Sequence, residues 1–147
     1  MKKIDFIQEN ESKSSHGVLR GLHFQIPPFA QSKLIRVIKG KILDVSVDIR
    51  KGSPTFLKIL KIELDENTKR QLFIPKGFAH GFLVLSKECI VNYKVDNYYS
   101  KEHDRGINFN DKTLNIDFGI NKKNFVLSAK DKNLPELDKA ELFNYNE

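Results

Sequence analysis

The chain has 147 residues, of which 39% are hydrophobic and 30% are charged, and its formal net charge is +6. This length and composition predict one domain with a single core, spanning residues 1–147. No apolar run is long enough to cross a bilayer, and the first residues do not have the pattern of a signal peptide, so we expect no membrane partner.

The positive charge is spread along the chain rather than concentrated. Lysine and arginine alternate with acidic residues, and the longest purely basic runs are pairs. We therefore expect no nucleic-acid partner, because such binding needs a basic patch or a recognisable motif. The single cysteine, Cys89, excludes an internal disulfide and favours a reducing, cytoplasmic location. It lies in an apolar run, which predicts an inert buried thiol.

The N-terminal third contains a polar segment followed by an unusual strand. Residues 1–16 are mostly polar and are predicted to be an entry segment to the fold. Residues 17–25 predict a strand that carries several polar side chains. A period of two places Arg20, Leu22 and Phe24 on one face and Leu19, His23 and Gln25 on the other. Gly21 lies between them and would let a backbone or a ligand come close.

Further strands follow at short, regular intervals. The clearest alternation is in residues 41–50, where Leu43, Val45, Val47 and Ile49 alternate with Asp44, Ser46, Asp48 and Arg50. The other predicted strands are residues 34–39, 56–64 and 71–74, with residues 83–86 and 89–95 forming a hairpin. Such spacing, with turn residues between the strands, favours a β-sandwich or a small barrel within residues 17–109.

The pattern weakens after residue 96. Residues 106–109 are a candidate edge strand, and residues 110–147 are predicted to be irregular with short helical segments. Ser128 and Asp131 have capping-box spacing, which predicts the start of a helix there. A second short helix is predicted within residues 136–147.

Four side chains have both a structural and a chemical interpretation. His23 and His80 are each either a hydrogen-bonded structural histidine or a site residue. Tyr93 has the periodicity of a core residue, but in an apolar pocket it would serve as a general acid. Asp131 is explained by helix capping alone, and it is also able to reach a histidine. No histidine or cysteine pair has metal-ligand spacing, so we expect no metal site.

Several long motifs resemble the dTDP-4-dehydrorhamnose 3,5-epimerase family. They lie at residues 18–25, 44–56, 69–82, 93–100 and 127–135, in the family's order, and extend over most of the chain from Gln8 to about Leu137. Members of that family usually carry a longer segment before the residue that matches Gln8. We expect this difference to affect nucleotide binding and dimer geometry.

The resemblance implies an all-β fold, a cupin-type double-stranded β-helix or jelly roll, in a homodimer that uses no metal and no cofactor. It implies a nucleotide-linked 4-keto-6-deoxy sugar as the substrate, epimerised at C3 and C5. By the resemblance His23 is the catalytic base, Asp131 its orienting carboxylate and Tyr93 the proton donor. The implied substrate-binding residues are Arg20, Lys33, His80, Gln8, Asn10 and Tyr99.

These residue types suit the chemistry. A C–H bond beside a ketone becomes acidic when the developing enolate oxygen is stabilised, and Lys33 and His80 are suitable donors. A neutral histidine can take the proton, and a phenol on the other face can return one. Two alternatives stay open: an epimerase of the same fold that inverts only C3 or only C5, and a non-catalytic module that binds sugar nucleotides.

Overall fold

The protein is described here by a computed structural model covering residues 3–146, and it is built almost entirely of β-strands. The strands are β1 (Gln8–Ser15), β2 (Leu19–Gln25), β3 (Lys33–Lys39), β4 (Lys41–Asp48), β5 (Arg50–Lys51), β6 (Ile59–Asp65), β7 (Gln71–Ile74), β8 (Phe78–Val84), β9 (Glu88–Val95), β10 (Asp104–Gly106) and β11 (Phe143–Asn144). One α-helix, α1 (Ala129–Lys132), and 3-10 turns at Lys122–Asn124 and Leu137–Lys139 complete the described part. The predicted all-β class is confirmed. No helix in residues 3–146 is long and apolar enough to span a membrane.

Two antiparallel sheets form the body of the molecule. The four-stranded sheet has the order β1-β9-β3-β7, and the five-stranded sheet has the order β10-β2-β8-β4-β6. β5 and β11 form a small parallel pair beside them. Consecutive strands therefore often change sheet, as the alternation of β7, β8 and β9 shows.

The five-stranded sheet is covered on both faces. One apolar cluster joins β2, β4 and β8 to the C-terminal segment, through residues such as Leu22, Val47 and Phe118. A second cluster lies between the two sheets and includes Ile35 and Val91. This explains why both faces of β4 are buried, although alternation in an antiparallel strand usually indicates one solvent-facing side. The polar row of β4 points into the protein.

The structure corrects three predictions of secondary structure. Residues 8–15 form β1, an edge strand paired with β9 over its whole length, and not an entry segment. β8 and β9 lie in different sheets and so do not form a hairpin. Residues 137–139 form a 3-10 turn and residues 143–144 a strand where a C-terminal helix was predicted, while Glu147 lies outside the described residues. In each case long-range pairing overrides a weak local preference.

The faces of β2 also differ from the prediction. Arg20 pairs with Phe82 and His23 pairs with His80, so β2 has one more residue than β8 between these two positions. The extra residue is a β-bulge, and it shifts the alternation by one. Leu19, Leu22 and Phe24 consequently share the apolar core. Arg20 lies on the same side as His23, not with Leu22 and Phe24 as a strict period of two requires.

A buried carboxylate organises the turn that follows β4. Asp48 is 1% exposed and accepts hydrogen bonds from Arg50 Nη2 at 2.7 Å, Ser53 Oγ at 2.7 Å and Thr55 Oγ1 at 2.6 Å. Burial by itself would raise the pKa of Asp48, but the bonds from Arg50, Thr55 and Ser53 lower it far below its usual value. The Arg50 guanidinium also lies over the Tyr145 ring, 5.1 Å from its centroid. This network attaches the C-terminus to the barrel.

We predict that Asp48→Asn lowers the free energy of unfolding by about 3 kcal/mol, because it leaves buried donors without their charged partner. The depressed pKa stabilises the wild type above pH 4, approximately the pKa of an unfolded aspartate, and this contribution is lost as the pH falls below that value. Urea denaturation at several pH values measures both effects. A variant as stable as the wild type at pH 7, or equally acid-sensitive, would contradict this account.

Candidate active site

Two adjoining cavities lie between the sheets, and His23, Lys33 and Tyr93 line both of them. The inner cavity has a volume of about 160 Å³ and the outer one about 340 Å³. The inner cavity is also lined by Ser12, Arg20, Ile35, His80, Gly81, Phe82 and Val91. The outer cavity is also lined by Gln8, Asn10, Phe24, Gln25, Gln31, Tyr99, Asp104 and Lys130. All the predicted site residues except Asp131 therefore surround one continuous space.

A larger surface hollow of about 580 Å³ contains none of these residues. It lies by Lys13, Lys39 and Glu88, where the two ammonium groups are paired with the carboxylate at 2.7 Å and 3.0 Å. The two ammonium groups share this one carboxylate at an exposed position, and such surface pairs contribute little to stability. The chemistry predicted from the sequence lies in the smaller cavities.

Two glycines bring the histidine-bearing strands into close contact. A Cβ on Gly21 would lie 2.6 Å from Gly81 Cα and 2.6 Å from His80 O, and a Cβ on Gly81 would lie 2.5 Å from Arg20 O. These spaces are too small for any side chain, so both positions require glycine. His23 and His80 are Cα partners immediately beyond this contact. The glycine pair therefore sets the spacing of the two imidazoles.

His23 is held by a carboxylate that is distant in sequence. Its Nε2 lies 2.5 Å from Asp131 Oδ1, and Asp131 is only 3% exposed. The helix start predicted at Ser128 is confirmed: Ser128 Oγ accepts from Asp131 N at 3.1 Å and donates to Asp131 Oδ2 at 2.8 Å. The cap thus orients the carboxylate towards the imidazole. Asp131 therefore both belongs to the helix cap and contacts a histidine, so its structural and chemical interpretations are compatible.

This contact defines the chemistry that His23 can perform. Burial by itself would raise the pKa of Asp131, but the hydrogen bond and charge of His23 and the bonds from Ser128 and the Gly21 backbone lower it. Asp131 is therefore a carboxylate at neutral pH and accepts from Nε2–H. The tautomer that results leaves the lone pair of Nδ1 available to take a proton.

A second histidine–aspartate pair lies deeper, and sequence analysis missed half of it. His80 Nε2 lies 2.8 Å from Asp44 Oδ2, and Asp44 is completely buried while His80 is 7% exposed. Asp44 Oδ1 is buried and has no hydrogen-bond partner among residues 3–146. In the sequence, Asp44 is one of the polar residues that alternate with apolar ones along β4. Only the structure shows that both faces of this strand are buried, which makes a carboxylate there a candidate partner for His80.

Lys33 brings a positive charge to the junction of the two cavities. Burial lowers the pKa of its ammonium to about 8, while the nearby carboxylates Asp104 and Asp44 oppose that change. The group is thus a cation at neutral pH that can lose its proton under mildly basic conditions. It can act either as a charged donor or as a proton-transfer group.

Tyr93 occupies the wall opposite His23. It belongs to β9 of the four-stranded sheet, whereas His23 belongs to β2 of the five-stranded sheet. Burial raises the pKa of the Tyr93 phenol, and the charge of Arg20 offsets part of that rise. The phenol is therefore protonated at neutral pH. Arg20 is anchored by Ser14, whose Oγ accepts from Arg20 Nε at 3.0 Å.

The outer cavity is polar, and five residues that line it were not predicted as site residues: Phe24, Gln25, Gln31, Asp104 and Lys130. Tyr99 OH donates to Asp104 Oδ2 at 3.0 Å, and Lys130 contacts the same carboxylate oxygen. Gln8 Nε2 donates to Asn10 Oδ1 at 2.8 Å on the opposite side. Asp104 and Lys130 were not recognised because they lie in loop-like sequence without periodicity. The arrangement provides hydrogen-bonding groups and charges of both signs for a polar ligand.

The arrangement of potential metal-ligating side chains bears on the expectation that the protein has no metal site. In residues 3–146 no three histidine, cysteine, aspartate or glutamate side chains converge as a metal site requires. Cys89 is buried in the apolar cluster between the two sheets, and burial raises the pKa of its thiol to about 11. The prediction of an unreactive core thiol agrees with this environment.

Comparisons with known proteins agree with the motifs in the sequence. The model of the family described as dTDP-4-dehydrorhamnose 3,5-epimerase matches residues 1–139. The curated epimerase of that name from Shigella flexneri is 51% identical over 97% of this chain and 77% of its own length. The crystal structure of the Elizabethkingia anophelis enzyme has a TM-score of 0.90 and 47% identity, over 93% of this chain and 76% of that one.

A further solved structure contains a ligand. This Legionella pneumophila epimerase in complex with dTDP-4-keto-L-rhamnose has a TM-score of 0.92 and 42% identity, and the match covers 98% of this chain and 77% of that one. A 3'-monoepimerase from Streptomyces bikiniensis in complex with dTDP-quinovose is similar at a TM-score of 0.86 and 32% identity, over 96% of this chain and 73% of its own. The fold thus includes enzymes whose names indicate one inverted centre or two.

We predict that Lys33 titrates with a pKa of about 8, well below the other lysines, because it is enclosed between the sheets. Carbon-detected NMR of protein labelled with ¹³C-lysine measures this directly from the Cε shift. The signal is assigned by its loss in Lys33→Met. If Lys33 titrates with the bulk of the lysines, above pH 10, the description of an enclosed ammonium is wrong.

Proposed function

The chain belongs to the dTDP-4-dehydrorhamnose 3,5-epimerase family, and we propose that it inverts C3 and C5 of its substrate with His23 and Tyr93 as proton acceptor and donor. It is an isomerase-class enzyme with a cupin-type jelly roll, whose reaction is epimerisation of a nucleotide-linked 4-keto-6-deoxy sugar. The observation that carries the assignment of residues is the position of His23 and Tyr93 on opposite walls of one cavity.

His23 is the base in this mechanism. Asp131 holds Nε2–H, so Nδ1 receives the proton from the carbon beside the ketone. The imidazolium that forms is stabilised by the buried carboxylate. Asp131 acts through His23 and is therefore a positioning residue.

The electron pair released by proton abstraction moves into the ketone, and an enolate oxygen develops. Lys33 lies at the junction of the two cavities and His80 lies in the inner one, so both are near the space that a ketone would occupy. A preorganised ammonium in a partly desolvated site stabilises such an oxygen strongly. The Asp44 carboxylate is hydrogen-bonded to Nε2 of His80 and thereby fixes the orientation of the imidazole ring.

Tyr93 returns a proton to the face opposite His23. Its phenol is protonated at neutral pH, because burial raises its pKa. Donation leaves a phenolate, which the positive charge of Arg20 stabilises. The same two groups serve both centres, because C3 and C5 flank the ketone symmetrically. Between the two inversions His23 loses its proton to solvent and the Tyr93 phenolate regains one from solvent.

The substrate enters as a nucleotide diphosphate sugar, with the sugar in the inner cavity. The nucleotide of the Legionella pneumophila complex is dTDP, and a Bacillus anthracis relative has TDP and PPi bound. We assign thymidine to this chain on that likeness. Arg20 binds a phosphate, and Gln8, Asn10 and Tyr99 supply contacts in the outer cavity. The homodimer implied by the resemblance and the cytoplasmic location favoured by the single cysteine stay predictions.

Proton NMR in deuterium oxide tests the function. With dTDP-4-keto-6-deoxyglucose, the signals of the C3 and C5 protons should both disappear as solvent deuterium replaces them. Loss of only one signal would identify a single-centre epimerase. Retention of both would contradict the activity on this substrate, and the GDP- and CDP-linked sugars would then be compared.

His23→Ala is expected to lower the exchange rate at both carbons by at least about 1000-fold, because it removes the base for both steps. His16→Ala is the matched control, since His16 is an exposed histidine whose side chain is hydrogen-bonded only to Leu85 O in the described residues. Its exchange rates should equal those of the wild type. Substantial exchange by His23→Ala would mean that another group is the base.

Tyr93→Phe is expected to slow epimerisation by about 100-fold while hydrogen–deuterium exchange at C3 continues. The substitution removes the donor but leaves His23 and the enolate-stabilising groups in place. Tyr145→Phe is the control, because Tyr145 lies beside Arg50 and lines neither cavity. Equal losses of exchange and epimerisation in Tyr93→Phe would contradict a donor role.

A further inference from the structure

The inner cavity has one apolar wall in an otherwise polar lining. Ile35, Phe82 and Val91 form it, and they are 1%, 6% and 1% exposed. All three belong to the apolar cluster between the sheets, so the wall is the cavity-facing surface of that core. Their positions are fixed by packing on the side away from the cavity.

This wall lies directly beside the proposed proton donor. Ile35 is the Cα partner of Tyr93, and the Tyr93 ring packs against the same cluster. Phe82 borders the wall on the other side, with its ring centroid 6.5 Å from that of His80. The wall therefore extends between two groups that are proposed to contact the reacting sugar.

The side chains of the wall, Ile35, Phe82 and Val91, carry no hydrogen-bonding atom. Ser12 is the Cα partner of Val91 in the neighbouring strand, and its Oγ is itself buried and has no hydrogen-bond partner in the described residues. A polar group placed against Ile35, Phe82 and Val91 would thus lose hydrogen bonds to water that the wall itself does not replace.

We propose that Ile35, Phe82 and Val91 contact the C6 methyl of the substrate and select a sugar deoxygenated at C6. The inference rests on the proposed function, because it takes C5 to be a reacting centre near Tyr93. C6 is joined to C5 by a bond of about 1.5 Å. A sugar placed for protonation of C5 by Tyr93 brings C6 close to the apolar wall, because the wall adjoins Tyr93.

The selection follows from desolvation. Transfer of a methyl group from water to this wall lowers the free energy, whereas a 6-hydroxyl against the wall would lose hydrogen bonds to water. Apolar pockets reject an added hydroxyl by about 100-fold. We expect the wild type to prefer dTDP-4-keto-6-deoxyglucose over dTDP-4-keto-glucose by about that factor in kcat/KM.

Val91→Thr tests the wall, because threonine has nearly the shape of valine but adds a hydroxyl. The preference for the 6-deoxy substrate should fall about tenfold, chiefly through better use of the 6-hydroxy sugar. Val37→Thr is the matched control: Val37 is the Cα partner of Val91 and equally buried, but it does not line the cavity. It should be destabilised similarly and keep the preference of the wild type. An unchanged preference in Val91→Thr, or an equal change in Val37→Thr, would overturn the proposal.

Binding to the unaltered protein provides a second measurement that needs neither turnover nor a variant. Calorimetry with dTDP-6-deoxyglucose and dTDP-glucose, which both lack the ketone, should give a Kd at least about tenfold lower for the 6-deoxy ligand. Equal affinities would refute the wall's role even if exchange at C3 and C5 is observed. Absence of exchange together with a clear 6-deoxy preference would contradict the proposed reaction while supporting the wall.

Discussion

The close approach of β2 and β8 at Gly21 and Gly81 is the constraint on which the site depends. A side chain at either position would force the strands apart, because the neighbouring backbone atoms lie within 2.6 Å of the missing Cβ. The bulge at this point changes which side chains of β2 face inwards. His23 and Arg20 thereby share the cavity, while Leu22 joins the core.

Two histidine–aspartate pairs result from this arrangement, and their environments differ. His23 lines both cavities and is held by Asp131 from a short capped helix, so its second nitrogen is available for proton transfer. His80 is held by Asp44, which lies in β4 between β8 and β6 of the five-stranded sheet. The first pair is suited to exchange a proton, and the second is suited to keep a fixed orientation.

Each of the two sheets supplies a different set of site residues. The five-stranded sheet supplies the proposed base and the His80–Asp44 pair, and the four-stranded sheet supplies Lys33, Tyr93 and the strand β1 with Gln8 and Asn10. Because the reacting groups come from opposite walls, a flat sugar ring between them can lose a proton on one face and gain one on the other. The apolar core continues to the cavity surface at Ile35 and Val91, which gives the same space a non-polar side.

The sequence by itself determined most strand-forming segments of the barrel, the helix start at Ser128 and the site residues that its motifs carry, because alternation, capping spacing and long motifs are local signals. Only the tertiary structure decided that residues 8–15 form an edge strand and that β8 and β9 belong to different sheets, since such pairing depends on contacts distant in sequence. It also decided that the polar row of β4 is buried, which makes Asp44 the partner of His80. The faces of β2 could not be read from its own alternation, because the bulge arises from the contact with Gly81 on another strand.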